Sequence, residues 1–211
     1  MKLQIAIDMV DTTTAVKMVD QIYDVIDIVE IGTPMIIHEG VLPVVRLKNK
    51  YPDLTILADT KIVDGGCIEA GYAYDAGADI VTVLAISPNA TIHAVVETAS
   101  IYGRKCMADM LCVKDIIEKS IELEEFGVDY ICLHTAKDEQ NIRKPPIDDL
   151  KKVKGYLTRA KTAVAGGISL MTIQSIAAIG ADIVVSGNAL TKAPDLREAV
   201  LEMKAAIRNH Q

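Results

Sequence analysis

Gly77-Ala78-Asp79-Ile80-Val81-Thr82-Val83-Leu84 reads as the end of a helix, a tight turn and a buried strand, in that order. A glycine at 77 allows the left-handed backbone on which helices stop. Ile80 to Leu84 is a short apolar run rich in β-branched residues, the pattern of a strand covered on both faces. The same phrase returns at Gly127-Val128-Asp129 and at Gly180-Ala181-Asp182, each leading into another apolar run. Strands are expected at 3–8 (LQIAID), 26–31 (IDIVEI), 55–60 (TILADT), 79–84 (DIVTVL), 105–110 (KCMADM), 129–134 (DYICLH), 161–165 (KTAVA) and 182–186 (DIVVS). Helices are expected between them over 13–23, 39–49, 66–76, 90–101, 114–125, 147–155, 169–178 and 194–208. Strand–helix alternation from end to end calls for a parallel sheet. Units of even length, with no GxGxxG after the first strand, favour a closed sheet over a doubly wound open one. The expected fold is therefore α/β: one (β/α)8 TIM barrel over residues 1–211, a single domain.

The composition agrees. A chain of 211 residues is long enough for one such domain and cramped for two. Half the residues are hydrophobic, yet one is Phe and none is Trp, so the core must be aliphatic. A net charge of −7 with no Lys/Arg stripe argues against nucleic acid and leaves small metabolites or other proteins as partners. Cys67, Cys106, Cys112 and Cys132 are too few and too irregular for a disulfide framework, and no CxxC pair suggests zinc. They read as reduced, mostly structural thiols. No apolar run approaches the roughly 20 residues that span a bilayer. Met1-Lys2-Leu3-Gln4 leads into a strand rather than a signal peptide, so no membrane partner and a cytoplasmic location are expected.

Ionisable side chains stand at strand ends, where a buried strand should finish in apolar residues. Asp8 closes the first strand, Glu30 the second, Asp59 the third, Asp109 the fifth and His134 the sixth, with Lys61 just past the third. In a parallel barrel these ends share one face, so residues distant in sequence converge there. Any one of them reads equally well as a capping or loop-facing group. Together they carry a desolvation cost that requires mutual pairing, a metal or a ligand.

Asp59-Thr60-Lys61-Ile62-Val63-Asp64 has the form D-x-K-x-x-D and runs into Gly65-Gly66. Carboxylate, ammonium and carboxylate held close set one another's protonation. Glu30 and Asp59 are hard oxygen donors suited to Mg²⁺, or to Mn²⁺, which the same ligands serve. A purely electrostatic Glu–Lys–Asp cluster without metal is the alternative. Ala165-Gly166-Gly167-Ile168-Ser169 and Ser186-Gly187-Asn188-Ala189 follow the seventh and eighth strands, where barrels commonly hold a phosphate on backbone N–H groups and a short helix N-terminus. Two ordinary turns would read alike. Histidine is the side-chain type suited to carry a proton in both directions, so His134 is the natural proton carrier. His38, His93 and His210 read as surface residues.

These residues together resemble the orotidine 5′-monophosphate decarboxylase superfamily, in the branch containing 3-hexulose-6-phosphate synthase and 3-keto-L-gulonate-6-phosphate decarboxylase. The resemblance runs the whole length and rests on LQIAID, Ile28-Val29-Glu30-Ile31-Gly32-Thr33-Pro34, Leu57 through Gly66, Asp129 through Thr135, and Ala163 through Ile168. It implies Mg²⁺ on Glu30 and Asp59, Lys61 steadying an enediolate, Asp8 on substrate hydroxyls, and phosphate on Gly166, Gly167, Gly187 and Asn188. It also implies a homodimer in which Asp64 reaches into the partner subunit's site, so that active sites are shared. The implied chemistry is Mg²⁺-dependent condensation of formaldehyde with a sugar phosphate, ribulose 5-phosphate. Asp109 favours that synthase activity, since the decarboxylases tend to have Glu there. Thr135 favours it too, where decarboxylases tend to have an Arg-Ser-Arg run, as does Asn188 where they have a phosphate-binding Arg. Lys137 departs: decarboxylases have a cationic Arg and synthases a neutral residue, which leaves a dual activity open. The alternatives are the decarboxylase itself, a pentose-phosphate epimerase or isomerase, and a non-catalytic phosphosugar-binding module.

Overall fold

The protein is described by a computed structural model covering residues 1–140, 142 and 145–208. The strands are β1 (Lys2–Ile7), β2 (Ile28–Ile31), β3 (Thr55–Ile62), β4 (Ile80–Leu84), β5 (Lys105–Asp109), β6 (Tyr130–His134), β7 (Lys161–Ala165) and β8 (Ile183–Ser186). Each pairs in parallel with the next, and β8 pairs with β1, closing the barrel. The helices are α1 (Thr12–Asp20), α2 (Thr33–Glu39), α3 (Leu42–Lys50), α4 (Gly66–Asp75), α5 (Asn89–Tyr102), α6 (Ile116–Phe126), α7 (Ile147–Lys154), α8 (Leu170–Ile179), α9 (Asn188–Thr191) and α10 (Leu196–Arg208). The expected (β/α)8 barrel is the observed one.

Two helical segments depart from expectation. The helix expected over 39–49 is α3, which starts three residues later behind Gly40 at φ 62° and carries a proline in its first turn, and an additional helix, α2, precedes it directly after β2. The segment expected as one helix over 194–208 is preceded by the four-residue α9 directly after β8. Both additions, α2 and α9, follow strand ends closely, too short for a helical period to show in the sequence.

Strand alternation sorts the side chains into two cores. Leu3, Ile5, Ile7, Val29, Ile31, Ile56, Ala58, Val81 and Val83 face outward and pack under the helices. Ile28, Leu57, Ile80, Met107, Cys132, Ala163, Ile183 and Val185 face inward and fill the barrel. Stepping by two along β2 to β6 climbs the interior from apolar to polar: Ile28 to Glu30, Leu57 to Asp59, Ile80 to Thr82, Met107 to Asp109, Cys132 to His134. Polar strand ends are thus the top layers of one inward-facing stack.

The opposite end of the barrel carries a fourfold device. Asp27, Asp79, Asp129 and Asp182, each just before an even-numbered strand, accept the backbone N–H of Leu3, Ile56, Cys106 and Thr162 on the odd-numbered neighbours at 2.8, 2.9, 3.0 and 2.9 Å. A lysine from a helix or strand neutralises each: Lys204 at 2.8, Lys48 at 2.7, Lys105 at 2.6 and Lys154 at 3.1 Å. The Gly-x-Asp phrase that opens strands therefore also ties strand pairs together. At that end the polar residues are mutually satisfied, as a face devoted to stability requires.

Candidate active site

Asp59 lies within β3 as expected, and Lys61 lies inside the same strand, not just past it as expected. Opposite β4 the register slips between Ala58 and Ile62: Ala58 faces Val81 and Ile62 faces Val83, so β3 carries two extra residues. Lys61 takes φ 46°, a left-handed conformation that a non-glycine residue rarely adopts. Thr82 stitches this bulge. Its carbonyl accepts from Thr60 Oγ1 at 2.8 Å, its hydroxyl accepts from Lys61 N at 2.9 Å, and that hydroxyl donates to Asp59 Oδ1 at 2.8 Å. The bulge thereby aims Asp59 and Lys61 together at the barrel mouth, the use such irregularities serve beside active sites.

Lys61 Nζ lies 2.5 Å from Asp59 Oδ2 and 3.3 Å from Asp109 Oδ2. Burial works to lower its affinity for a proton, but the charges of Asp59 and Asp109 outweigh burial and hold it above the usual lysine range. It is a fixed cation, not a base. Asp109 is buried, which by itself would raise its carboxyl; the hydrogen bond and charge of His134, with Lys61 and the Leu111 N–H, hold it below the usual range instead. His134 Nδ1 donates to Asp109 Oδ2 at 2.9 Å, since a carboxylate can only accept. In the neutral ring Nε2 is then the nitrogen without the proton, and the ring lines the mouth cavity.

Glu30 stands beneath, buried, and burial and the neighbouring charge of Asp59 push its carboxyl well above the usual range. Its Oε2 accepts from Gln4 Nε2 at 2.6 Å. Thr33 directs its hydroxyl at Asp59 Oδ2, 2.8 Å away. Among the described residues no group of three or more His, Cys, Asp or Glu side chains converges as a metal cage.

The cavity above, about 530 Å³, is lined by Asp8, Glu30, Asp59, Lys61, His134 and Lys137 on one side and by Gly166, Gly167, Gly187 and Asn188 on the other. Burial raises the Asp8 carboxyl against the opposing charge of Lys137, whose Nζ is 3.9 Å away. A side chain at Gly32 would overlap Asp8 Oδ1, so the glycine after β2 makes room for that carboxylate. Gly166 has φ 93° and its Cα faces the Thr135 carbonyl so closely that a Cβ would overlap it. The Gly166–Gly167 loop and the start of α9 bring backbone to the cavity opposite the charged cluster.

The structure thus unites eleven of the thirteen predicted site residues around one mouth: ten line the large cavity, and Asp109 lies just below, lining a smaller one. Thr135 is buried behind the wall rather than lining it. Asp64 is exposed outside its own cavity, capping Gly65 N at 2.7 Å. His38 and His93 are exposed as expected; His210 lies outside the described residues. Gln4, Gly32, Thr33 and Thr82 belong to the site beyond the residues expected from the sequence. Gln4 and Thr82 had a visible signal, each a polar residue inside an apolar strand, at positions two short of Ala6 and two past Ile80.

Comparison with known proteins agrees with this geometry. The sequence model described as "Orotidine 5'-phosphate decarboxylase / HUMPS family" matches residues 1–203. A 3-hexulose-6-phosphate synthase of Bacillus subtilis is 42% identical over 207 residues, 98% of this chain and 99% of that protein. The crystal structure of 3-hexulose-6-phosphate synthase from Salmonella typhimurium superposes with a TM-score of 0.96 at 39% identity, covering all of both chains. A KGPDC from Streptococcus mutans, solved as a complex, shares the fold with a TM-score of 0.92 at 20% identity over 99% of this chain and 97% of that one. By the extent of these matches, the chain belongs to the orotidine 5′-phosphate decarboxylase / HUMPS family.

Proposed function

We propose that this chain is a 3-hexulose-6-phosphate synthase, a carbon–carbon lyase that condenses formaldehyde with D-ribulose 5-phosphate to give D-arabino-hex-3-ulose 6-phosphate. The observation that carries the reading is the unbroken line Asp59–Lys61–Asp109–His134, at 2.5, 3.3 and 2.9 Å. It sets a permanent cation beside a proton acceptor, the pair an enediolate needs. Relatives of that name, at 37–42% identity over nearly the whole chain, support the same activity.

In this reading the glycine loops and Asn188 bind the phosphate on backbone N–H groups. Asp8 binds substrate hydroxyls. His134 Nε2 removes the proton from C1 of ribulose 5-phosphate, and Lys61 stabilises the enediolate oxygen that gains charge. C1 then bonds to the formaldehyde carbon, whose C=O pair becomes an alkoxide, and the proton held on His134 neutralises it. Glu30 and Asp59 fit a divalent cation, Mg²⁺ or Mn²⁺: two buried carboxylates, one pushed up by the other, are relieved by a positive charge between them. Two carboxylates with water or substrate completing the shell is an arrangement Mg²⁺ accepts, and a bound ion would supply Lewis-acid polarisation of the substrate carbonyl.

A homodimer with shared sites accounts for Asp64, which is exposed outside its own cavity. Val63, Ile68, Tyr72, Ile86 and Ile101 are exposed apolar residues on the same side, along α4, α5 and the turns leading to them. The decarboxylase reading keeps one observation in its favour, the Lys137 ammonium at the cavity wall near Asp8. No helix among the described residues is long and apolar enough to cross a membrane, and a cytoplasmic enzyme fits the metabolite substrate.

The test is a paired assay of the purified protein with Mg²⁺, following formaldehyde loss with ribulose 5-phosphate and CO₂ release from 3-keto-L-gulonate 6-phosphate. Formaldehyde consumption well above decarboxylation is expected. Predominant CO₂ release would transfer the assignment to the decarboxylase and make Lys137 its decisive residue.

A further inference from the structure

The layer of the barrel interior below the carboxylates contains Leu57, Met107 and Ala163 from β3, β5 and β7. The fourth member, from β1, is Gln4, an amide with 1% of its surface exposed among three apolar neighbours. Its Nε2 donates to Glu30 Oε2 at 2.6 Å, while its Oε1 is buried with no partner. Turned over, the amide would set its oxygen against the oxygen of the ionised Glu30 carboxylate, the form that binds a metal. Leaving an acceptor unsatisfied inside a core is unfavourable by about 1–3 kcal/mol. A methionine or leucine here would complete the apolar layer and remove that unpaired acceptor, but would leave the buried Glu30 Oε2 without its donor. A cavity of about 20 Å³, lined by Gln4, Glu30, Thr82, Met107 and Cys132 among others, lies beside it and is of a size for one water.

We propose that Gln4 is a positioning residue: its amide fixes the Glu30 carboxylate from beneath and so presets that ligand for a divalent cation. The proposal rests on the reading of Glu30 and Asp59 as the metal pair. Partners of this kind, which orient a ligand without touching the metal, typically change metal affinity 10- to 100-fold when removed. Mn²⁺ binding without substrate, followed by electron paramagnetic resonance, measures the effect directly. Gln4→Met keeps the length and loses the donor. It should bind Mn²⁺ at least about tenfold more weakly than the native protein. Turnover at saturating Mn²⁺ should stay within about threefold of native, because the reacting groups are untouched. Should Gln4→Met not fold, Gln4→Asn withdraws the donor by one methylene and carries the same expectation. Mn²⁺ affinity within about twofold of native in the folded variant would overturn the role while leaving the metal site standing. Turnover lost even at saturating Mn²⁺ would overturn it too, in favour of a purely structural amide. Failure of the native protein to bind Mn²⁺ would remove the metal pair and this role with it.

Discussion

Asp109→Asn isolates the proton-transfer step. Asp109 Oδ1 accepts the Leu111 N–H at 3.0 Å, while Oδ2 faces His134 Nδ1 at 2.9 Å and Lys61 Nζ at 3.3 Å. An asparagine that keeps the Leu111 bond must place its NH₂ where Oδ2 stood, donor against donor. His134 then relieves the clash by accepting at Nδ1, which moves its proton to Nε2, the nitrogen that must be free to take the substrate's proton. General-base catalysis is worth about 10²- to 10⁴-fold, or roughly 3–5.5 kcal/mol, and most of it should disappear. The folding cost should be smaller, about 2 kcal/mol, because the substitution is isosteric, the Leu111 bond survives and the His134 bond is reversed rather than lost, leaving the missing charge beside Lys61 as the main deficit. The assay is exchange of the C1 proton of ribulose 5-phosphate with solvent deuterium, followed by NMR without formaldehyde, so that only the first step is read. An exchange rate within about threefold of native in a folded Asp109→Asn protein would refute the assignment of His134 as the base.

At the opposite end of the barrel, Asp79→Ala strands Lys48, Arg104 and the Ile56 N–H together, and urea unfolding should show about 2–4 kcal/mol lost with kcat unchanged. Glu124 supplies the pH prediction. Burial would raise its carboxyl, but the N–H groups of Arg159, Ala160 and Thr158 bring it down to about 2. A carboxyl depressed on folding contributes stability that is full above the unfolded value near 4.3 and is lost as pH falls toward 2. Urea midpoints between pH 5 and 2 should therefore fall less steeply for Glu124→Gln than for the native protein, with a difference of at most about 1 kcal/mol at neutral pH because the site is solvated. Sharing of active sites is tested by mixing. If Asp64 serves the partner's cavity, co-refolded Asp64→Ala and Lys61→Ala proteins, each inactive alone, should recover about a quarter of native sites in hybrid dimers. A mixture as inactive as its parents would place Asp64 outside the site.

Much of this molecule is legible in its chain because barrel geometry converts sequence period into position. Strand–helix alternation determined the closed parallel sheet, and the residue type at each strand end determined that Asp8, Glu30, Asp59, Asp109 and His134 share one mouth, since parallel strands leave no other place for them. Positive-φ glycines at 77, 127 and 180 were readable for the same reason: local backbone demands are met by local residues. What tertiary structure alone decided depends on neighbours distant in sequence. The bulge in β3 exists only against β4, through Thr82, and it carried Lys61 back inside a strand that seemed to end before it. Gly32 matters only because Asp8, 24 residues earlier, needs the space beside it. Gln4 and Thr82 look like polar interruptions of apolar strands until the barrel closes and stacks them under and beside the carboxylates they hold. Periodicity states which face a residue takes; which partner it meets on that face is settled by the register of strands that the chain brings together only on folding.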